Sequence, residues 1–161
     1  MSTLENEAVL SLIPQQRPMR FVDEILELDE EHILGSYTWK KEDCEGYLSG
    51  TQIVPPFKLV EMAAQIGSVA WCIYHMRKNV SAAEIENLVG FFTEIRHCEY
   101  KNIVYPGDRV LCLASFGDEG YFRANKLVSQ VEMQFDGGSK DGMEVFFGLV
   151  AGMWVPKNRA P

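Results

Sequence analysis

A single glutamate on an otherwise apolar predicted helix is the residue of this chain best placed to do chemistry. Glu61 follows a loop marked by glycine and proline, and the residues around it leave almost no hydrophilic face. An ionised carboxylate is expensive to remove from water, so such a group acquires a partner or a raised pKa, and groups of this kind cluster at functional sites. Glu61 is therefore a candidate general acid, general base or nucleophile.

The polar residues of this predicted helix form one stripe. Lys58, Glu61, Gln65, Ser68 and Cys72 recur at steps of three and four residues, which is the spacing that places side chains on one helix face. Such a stripe can line a groove. It can equally mark where the helix meets water or a partner subunit, with Glu61 paired to Lys58 one turn back, and the sequence leaves both interpretations open.

The elements that position this stripe are predicted from hydrophobic periodicity and turn residues. The helix is expected over residues 56–78, since proline suits a helix start, and it follows a long loop over residues 40–55. Before the loop, alternating residues predict a hairpin of strands 19–28 and 33–39. After the helix, the same signals predict strands over residues 88–95, 97–104, 109–116, 121–135 and 143–155. One long apolar helix among antiparallel strands indicates an α+β fold in which a curved sheet wraps the helix.

Length and composition narrow the class of protein. A chain of 161 residues predicts a single domain over residues 1–161, in which residues 1–12 form an amphipathic lead-in. The net charge of −8 argues against a nucleic-acid-binding surface. Nothing resembles a leader, and Glu61 and Gln65 interrupt the longest apolar run, so we expect no membrane span and a cytoplasmic location. The four cysteines form no CxxC pair and are expected to be reduced, and no cluster has the spacing of metal ligands.

Several segments, in order, resemble a known family. Residues 46–65, GYLSGTQIVPPFKLVEMAAQ, look like the active-site loop and central helix of the hotdog-fold 3-hydroxyacyl-acyl-carrier-protein dehydratases of fatty-acid synthesis, the FabZ- and FabA-like enzymes. Residues 13–23 look like the opening strand motif of that family. Residues 92–100, followed by Pro106-Gly107-Asp108, resemble its strand pair and turn. The resemblance spans residues 13–155.

This resemblance implies a hotdog fold and a role in fatty-acid or related acyl-chain biosynthesis. Members pair their sheets as dimers, so we expect a homodimer, a heterodimer with a paralogue, or a higher oligomer, with an acyl tunnel at the interface. No cofactor is implied, because the substrate is carried on the phosphopantetheine of acyl carrier protein or of coenzyme A. Glu61 occupies the position of the family's helix acid, which acts with a loop histidine of the other subunit. The positions expected to bind substrate are Gly50, Val54, Phe57 and Gln65.

The chain departs from the family pattern at two positions. Tyr47 stands where the family has its catalytic histidine, and a phenol stays protonated near neutral pH and cannot accept the substrate's proton. Tyr47 can instead donate a hydrogen bond or pack in the tunnel wall. Pro56 stands where the family usually has a glycine whose N–H binds the thioester carbonyl, so that donor is missing and the Phe57 N–H remains. His75 cannot replace the missing base, because it lies about 21 Å along the helix from Glu61.

Three functions are compatible with these residues. The first is a dehydratase-like partner subunit that binds acyl thioesters and completes a composite site beside a paralogue that carries the histidine. The second is an acyl-thioester hydrolase that uses Glu61 with Gln65 and the Phe57 N–H. The third is dehydration of a specialised substrate by Glu61, alone or aided by Tyr47.

Overall fold

A single antiparallel sheet of seven strands surrounds a long helix in the computed structural model, which describes residues 3–159. The strands are β1 (Glu24–Leu28), β2 (His32–Thr38), β3 (Leu88–Tyr100), β4 (Arg109–Ser115), β5 (Tyr121–Arg123), β6 (Lys126–Phe135) and β7 (Glu144–Pro156). Their order in the sheet is β1-β2-β4-β6-β7-β3, and β5 pairs with β6 outside this path. The helices flanking the core are Leu4–Leu12 and Ala82–Glu86, and one-turn helices lie at Lys41–Cys44, Gly138–Lys140 and Lys157–Arg159.

The central helix covers residues 56–76 and confirms the predicted apolar helix. It begins at Pro56, whose missing N–H costs nothing at a helix start. The helix is α-helical over Pro56–Ala64 and Trp71–Met76, and π-helical over Gln65–Ala70 between them. In the π-helical part the Trp71 N–H donates to the Ile66 carbonyl, five residues earlier. All six residues of this part are buried, so the wider turn lies within the core.

Gly67 lies where the central helix packs closely against the sheet. A Cβ atom there would lie 2.7 Å from the Ser129 Oγ and 3.0 Å from the Val131 Cγ2, so a larger residue would require these side chains to move. The Ser129 hydroxyl donates to the Gly67 carbonyl at 3.1 Å. This bond fixes the distance between the π-helical segment and β6.

Three strand boundaries differ from the prediction. The first hairpin is confirmed, but β1 begins at Glu24 because Met19 and Phe21 bond to Gln65 of the central helix. The Asp23 N–H still donates to the Ser36 carbonyl of β2 at 2.8 Å. The predicted strands 88–95 and 97–104 are replaced by one strand, β3, which ends at Tyr100, so residues 101–104 lie outside the sheet. β3 accommodates positive φ at His97 within a bulge. The predicted strand 121–135 is a hairpin of β5 and β6. Its turn residues, Ala124 and Asn125, both have positive φ, which is the geometry of a two-residue hairpin turn.

β3 is an edge strand that pairs with β7 on one side only. It is thirteen residues long, and Phe91, Phe92, Ile95 and Tyr100 on it are each more than a third exposed. An edge with unpaired backbone groups and exposed apolar side chains is a surface that favours pairing with another strand. Within residues 3–159, no helix is both long enough and apolar enough to cross a membrane. The four cysteines are free, and Cys98 is the least buried of them.

Candidate functional site

Glu61 lies half-buried on the central helix, where its side chain faces an apolar cavity. Its Oε1 accepts a hydrogen bond of 2.8 Å from the Gln65 Nε2, one turn further along the helix. Burial raises the pKa of the Glu61 carboxyl, and the Gln65 bond opposes this rise because it stabilises the ionised form. A carboxyl whose pKa is raised keeps its proton to a higher pH than an ordinary carboxyl, which is the direction of shift that suits a general acid.

The predicted pairing of Glu61 with Lys58, one of the two interpretations left open by the sequence, is wrong. The Lys58 Nζ donates to the Asp43 carbonyl at 2.7 Å and lies over the Phe21 ring. The Lys58 side chain therefore binds the loop that precedes the helix and does not pair with Glu61. Among residues 3–159, the Glu61 carboxyl is bonded to Gln65 and forms no ion pair.

Gln65 is fully buried and uses its whole amide to hold the chain around Glu61. Its Oε1 accepts from the Phe21 N–H at 2.7 Å, and its Nε2 donates to the Met19 carbonyl at 2.6 Å as well as to Glu61. These bonds join the central helix to residues 19–21, which lie more than forty positions earlier in the sequence. Since both amide atoms are occupied by the protein, the geometry assigns Gln65 the task of orienting Glu61.

The cavity beside Glu61 has a volume of about 280 Å³. Its walls come from the central helix, from β3, from β7 and from the segment before β1, and its residues besides Glu61 are Gln15, Ala64, Ser68, Val69, Gly90, Phe91, Phe92, Gly152, Met153 and Trp154. The polar stripe predicted from the sequence thus lines this cavity at Glu61 and Ser68. Gln15 and the β7 residues were not predicted, because only the folded sheet brings them to the helix.

The other predicted site residues lie at the start of the central helix and outside the lining of this cavity. Tyr47 packs edge-to-face on Phe57, with ring centroids 5.9 Å apart, and both rings are exposed. Gly50 is exposed and has a φ of +75° that favours glycine. Val54 is buried, and its N–H donates to the Val104 carbonyl at 2.9 Å. The structure therefore groups Tyr47 with Phe57, and Glu61 with Gln65.

The loop that carries Tyr47 is anchored at its beginning by Asp43. One oxygen of this buried carboxylate accepts from the Tyr37 hydroxyl at 2.9 Å and from the Lys40 N–H at 2.8 Å. The Asp43 carbonyl accepts from Lys58, so the same residue also fixes the loop to the first turn of the central helix. This arrangement sets the position from which the loop leaves toward Tyr47.

Solved structures with a similar backbone identify the architecture. The dehydratase heterocomplex ApeI:P from Xenorhabdus doucetiae matches with a TM-score of 0.73 at 16% identity, over 93% of this chain and 92% of that chain. The thioesterase HI1161 from Haemophilus influenzae matches with a TM-score of 0.61 at 15% identity, over 97% and 92% of the two chains. At this level of identity the likeness defines the fold, which is the hotdog fold expected from the sequence.

Sequence relatives then identify the family. The chain is 30% identical over 107 residues to the 3-hydroxyacyl-(acyl-carrier-protein) dehydratase FabZ of Exiguobacterium sibiricum, which covers 65% of this chain and 71% of that protein. It is 27% identical over 111 residues to the FabZ of Thermoanaerobacter sp. strain X514, over 67% and 72% of the two proteins. No family model matches the chain. The chain belongs to the FabZ-like family of 3-hydroxyacyl-(acyl-carrier-protein) dehydratases.

Proposed function

We propose that this protein binds 3-hydroxyacyl thioesters in the Glu61 cavity and acts in acyl-chain biosynthesis as one subunit of a composite dehydratase. The observation that carries the proposal is the position of Glu61: a half-buried carboxyl with a raised pKa, oriented by Gln65, at an apolar cavity. Elimination of water needs an acid that protonates the departing hydroxyl and a base that removes the proton beside the thioester carbonyl. Glu61 suits the first task.

The base is the missing component. Tyr47 stands where the resemblance places the family's histidine, and it packs on Phe57 away from the lining of the cavity. In the composite site that the resemblance implies, the helix acid of one subunit meets the loop of the other. A paralogue that carries a loop histidine would therefore complete the site at Glu61, whereas the site built around Tyr47 would lack its base. The similarity to a dehydratase heterocomplex supports such a pairing of unlike subunits.

The edge strand β3 supports pairing through the sheet. Its exposed residues Phe91 and Phe92 also form a wall of the Glu61 cavity, so a subunit that pairs along β3 would cover the cavity and exclude water from it. We propose acyl carrier protein or coenzyme A as the carrier that delivers the acyl chain.

The test is mass-spectrometric incubation with 3-hydroxyacyl thioesters on acyl carrier protein and on coenzyme A, which follows loss of water and thioester cleavage together. We expect no dehydration by the pure protein, and dehydration when a histidine-containing paralogue is added. Glu61→Gln should abolish that dehydration, and Glu86→Gln, which changes an exposed carboxyl on the helix Ala82–Glu86, should not. Dehydration by the pure wild type that Glu61→Gln removes would contradict the composite site and indicate a complete enzyme without histidine.

Acyl-thioester hydrolysis is the second candidate, and the start of the central helix favours it. No described side chain caps this end, so the Phe57 N–H and the positive end of the helix are available to a thioester carbonyl one turn from Glu61. Glu61 would then act as general base or nucleophile. Release of free thiol by the pure protein, lost in Glu61→Gln and kept in Glu86→Gln, would establish this function in place of the first.

A further inference from the structure

The face of the sheet that points away from the central helix carries more large apolar side chains than a solvated face requires. A Cβ atom on Gly67 would lie 3.2 Å from the Ala114 Cβ and 3.0 Å from the Val131 Cγ2, so these residues of β4 and β6 face the central helix. Successive side chains of a strand point to opposite faces. Leu113 and Glu132, the neighbours of Ala114 and Val131, therefore lie on the outer face of the sheet.

One row of paired residues crosses the outer face on six strands. From β1 to β3 the pairing joins Glu27, Leu34, Leu113, Glu132, Phe147 and Glu99. Neighbouring strands are about 5 Å apart, so the row places large apolar side chains directly between carboxylates. Leu111 belongs to the next row, where it pairs with Ser36 and Gln134. A sheet face covered only by water is normally polar, and this row departs from that pattern at three of its six positions.

A groove of about 300 Å³ lies on this part of the outer face. Its lining includes three apolar side chains and three carboxylates, which are Leu111, Leu113, Phe147, Glu27, Glu132 and Glu144. Leu113 is 38% exposed although its side chain is apolar. The groove therefore combines apolar contact area with negative charge.

The negative charge of the groove is largely uncompensated. No lysine or arginine lines it within residues 3–159. Glu27 pairs with His32, at 2.8 Å between the Oε2 and Nε2 atoms. Glu132 accepts a hydrogen bond from Gln130, and neither Glu132 nor Glu144 forms an ion pair in the described part of the chain. Two carboxylates without cations beside an apolar groove attract a cationic partner and repel an anionic one.

We propose that the groove is a docking site for a basic amphipathic segment of another protein. The apolar side chains of this segment contact Leu111, Leu113 and Phe147, and its lysines or arginines pair with Glu132 and Glu144. A second copy of this chain does not match the groove, because stacking of two outer faces would bring the acids together between molecules that each carry a net charge of −8. Nucleic acid and anionic lipid surfaces are repelled for the same reason.

This docking site is independent of the proposed acyl-thioester function. The Glu61 cavity is lined by the central helix, whereas the groove lies on the opposite face of the sheet. A partner can therefore occupy the groove without blocking the cavity.

The test uses two helical peptides of equal length as probes. One has leucine and lysine in an amphipathic pattern, and the other has glutamate in place of each lysine. Each peptide carries a fluorophore, and fluorescence anisotropy measures its binding to the full chain. We expect saturable binding of the leucine–lysine peptide that weakens as the salt concentration rises, and no saturable binding of the leucine–glutamate peptide.

Two variants of the groove change its apolar and its charged parts separately. The double variant Glu132→Lys/Glu144→Lys should weaken binding of the leucine–lysine peptide by about 10-fold or more, because two attractive pairs become repulsive. Leu113→Ser should weaken it by about 5-fold, because it removes apolar contact area. Leu113 is already partly exposed, so the serine variant leaves the core unchanged.

Each variant has a matched control outside the groove. Glu42→Lys/Glu86→Lys makes the same change in net charge at two exposed residues, and Leu4→Ser removes an exposed leucine from the first helix. Both controls should keep the affinity within about 2-fold of the wild type, because they leave the groove intact.

Absence of saturable binding by the leucine–lysine peptide would overturn the proposal. An equal loss of affinity in the two double variants would also overturn it, because it would show a general attraction to the net charge of the chain. Unchanged affinity in Leu113→Ser would show that the apolar contact lies elsewhere. Sedimentation velocity gives an independent readout: a wild-type oligomer that dissociates in Leu113→Ser would show that a second copy covers this face and would overturn the proposal, whereas the same oligomeric state in both proteins supports it.

Discussion

Replacement of Gln65 by methionine tests whether this residue holds the candidate site together. Methionine has a similar length and shape, so the substitution removes hydrogen bonds with little change in packing. It leaves the Phe21 N–H and the Met19 carbonyl without their partners. Phe21 is fully buried, and its N–H loses a bond that water cannot replace, whereas Met19 is 42% exposed and its carbonyl can regain part of its hydration.

The unfolding free energy should fall by about 3 kcal/mol. Each group left without its partner costs about 1–3 kcal/mol, and the Met19 carbonyl contributes at the low end of this range because it is partly exposed. Chemical denaturation measures the loss. The control is Gln130→Met, which removes an exposed bond to Glu132 and should change stability by less than about 0.5 kcal/mol. A loss below about 1 kcal/mol in Gln65→Met would refute the role assigned to Gln65.

The same variant should raise the pKa of Glu61 further, because it removes the donor that stabilises the ionised carboxyl, and carbon-detected NMR titration would show this.

Three other predictions follow from the same contacts. Burial raises the pKa of Glu61 above its ordinary value near 4.5, so ionisation of this carboxyl opposes folding. Glu61→Gln should therefore match the wild type in stability below pH 4.5 and exceed it increasingly as the pH rises through the raised pKa. Chemical denaturation of both proteins at pH 4 and pH 8 tests this, and a stability difference that is the same at both pH values would contradict the raised pKa. Gly67→Ala should lower the free energy of unfolding by about 1–3 kcal/mol, because its Cβ would meet the Ser129 Oγ. The double variant with Ser129→Ala should lose less unfolding free energy than the sum of the two single losses, and additive losses would contradict this contact. If the missing base is what prevents dehydration, Tyr47→His should give the pure protein dehydratase activity that the mass-spectrometric assay can measure. No gain of activity in this variant would show that Pro56 or the loop geometry also blocks the reaction.

The sequence predicted the parts of the site that depend on local pattern. The apolar helix starting at Pro56, the half-buried Glu61 and the hairpin before them follow from periodicity and from proline, which act over a few residues. The turn at Ala124 and Asn125 was missed, because it achieves positive φ at both positions without the glycine that usually marks such turns.

What the sequence did not predict depends on distant contacts. The partners of Gln65 lie 44 and 46 residues away from it, so no local pattern reports them, and its expected role as a substrate ligand remains a prediction that its occupied amide does not favour. Trp154 and Gly152 reach the cavity only because β7 pairs with both β6 and β3. The π-helical segment is likewise fixed by the bond from Ser129, which comes from a strand that follows it by some sixty residues.

The cavity borders a group that a purely structural core would not retain. Glu61 is half-buried there, and burial disfavours its ionised form. An apolar side chain at this position would remove that penalty, so stability alone gives no reason for a carboxyl there. A residue that breaks a local rule beside a cavity, one turn from an uncapped helix start, is what a binding site requires.

The proposed function treats acyl binding and proton abstraction as separate properties. Under this proposal, acyl binding depends on the cavity and on the orientation of Glu61 by Gln65. Proton abstraction depends on a base at the Tyr47 position, and a phenol is a poor base near neutral pH. Tyr47→His should therefore alter whether a bound acyl chain reacts without altering which acyl chain binds.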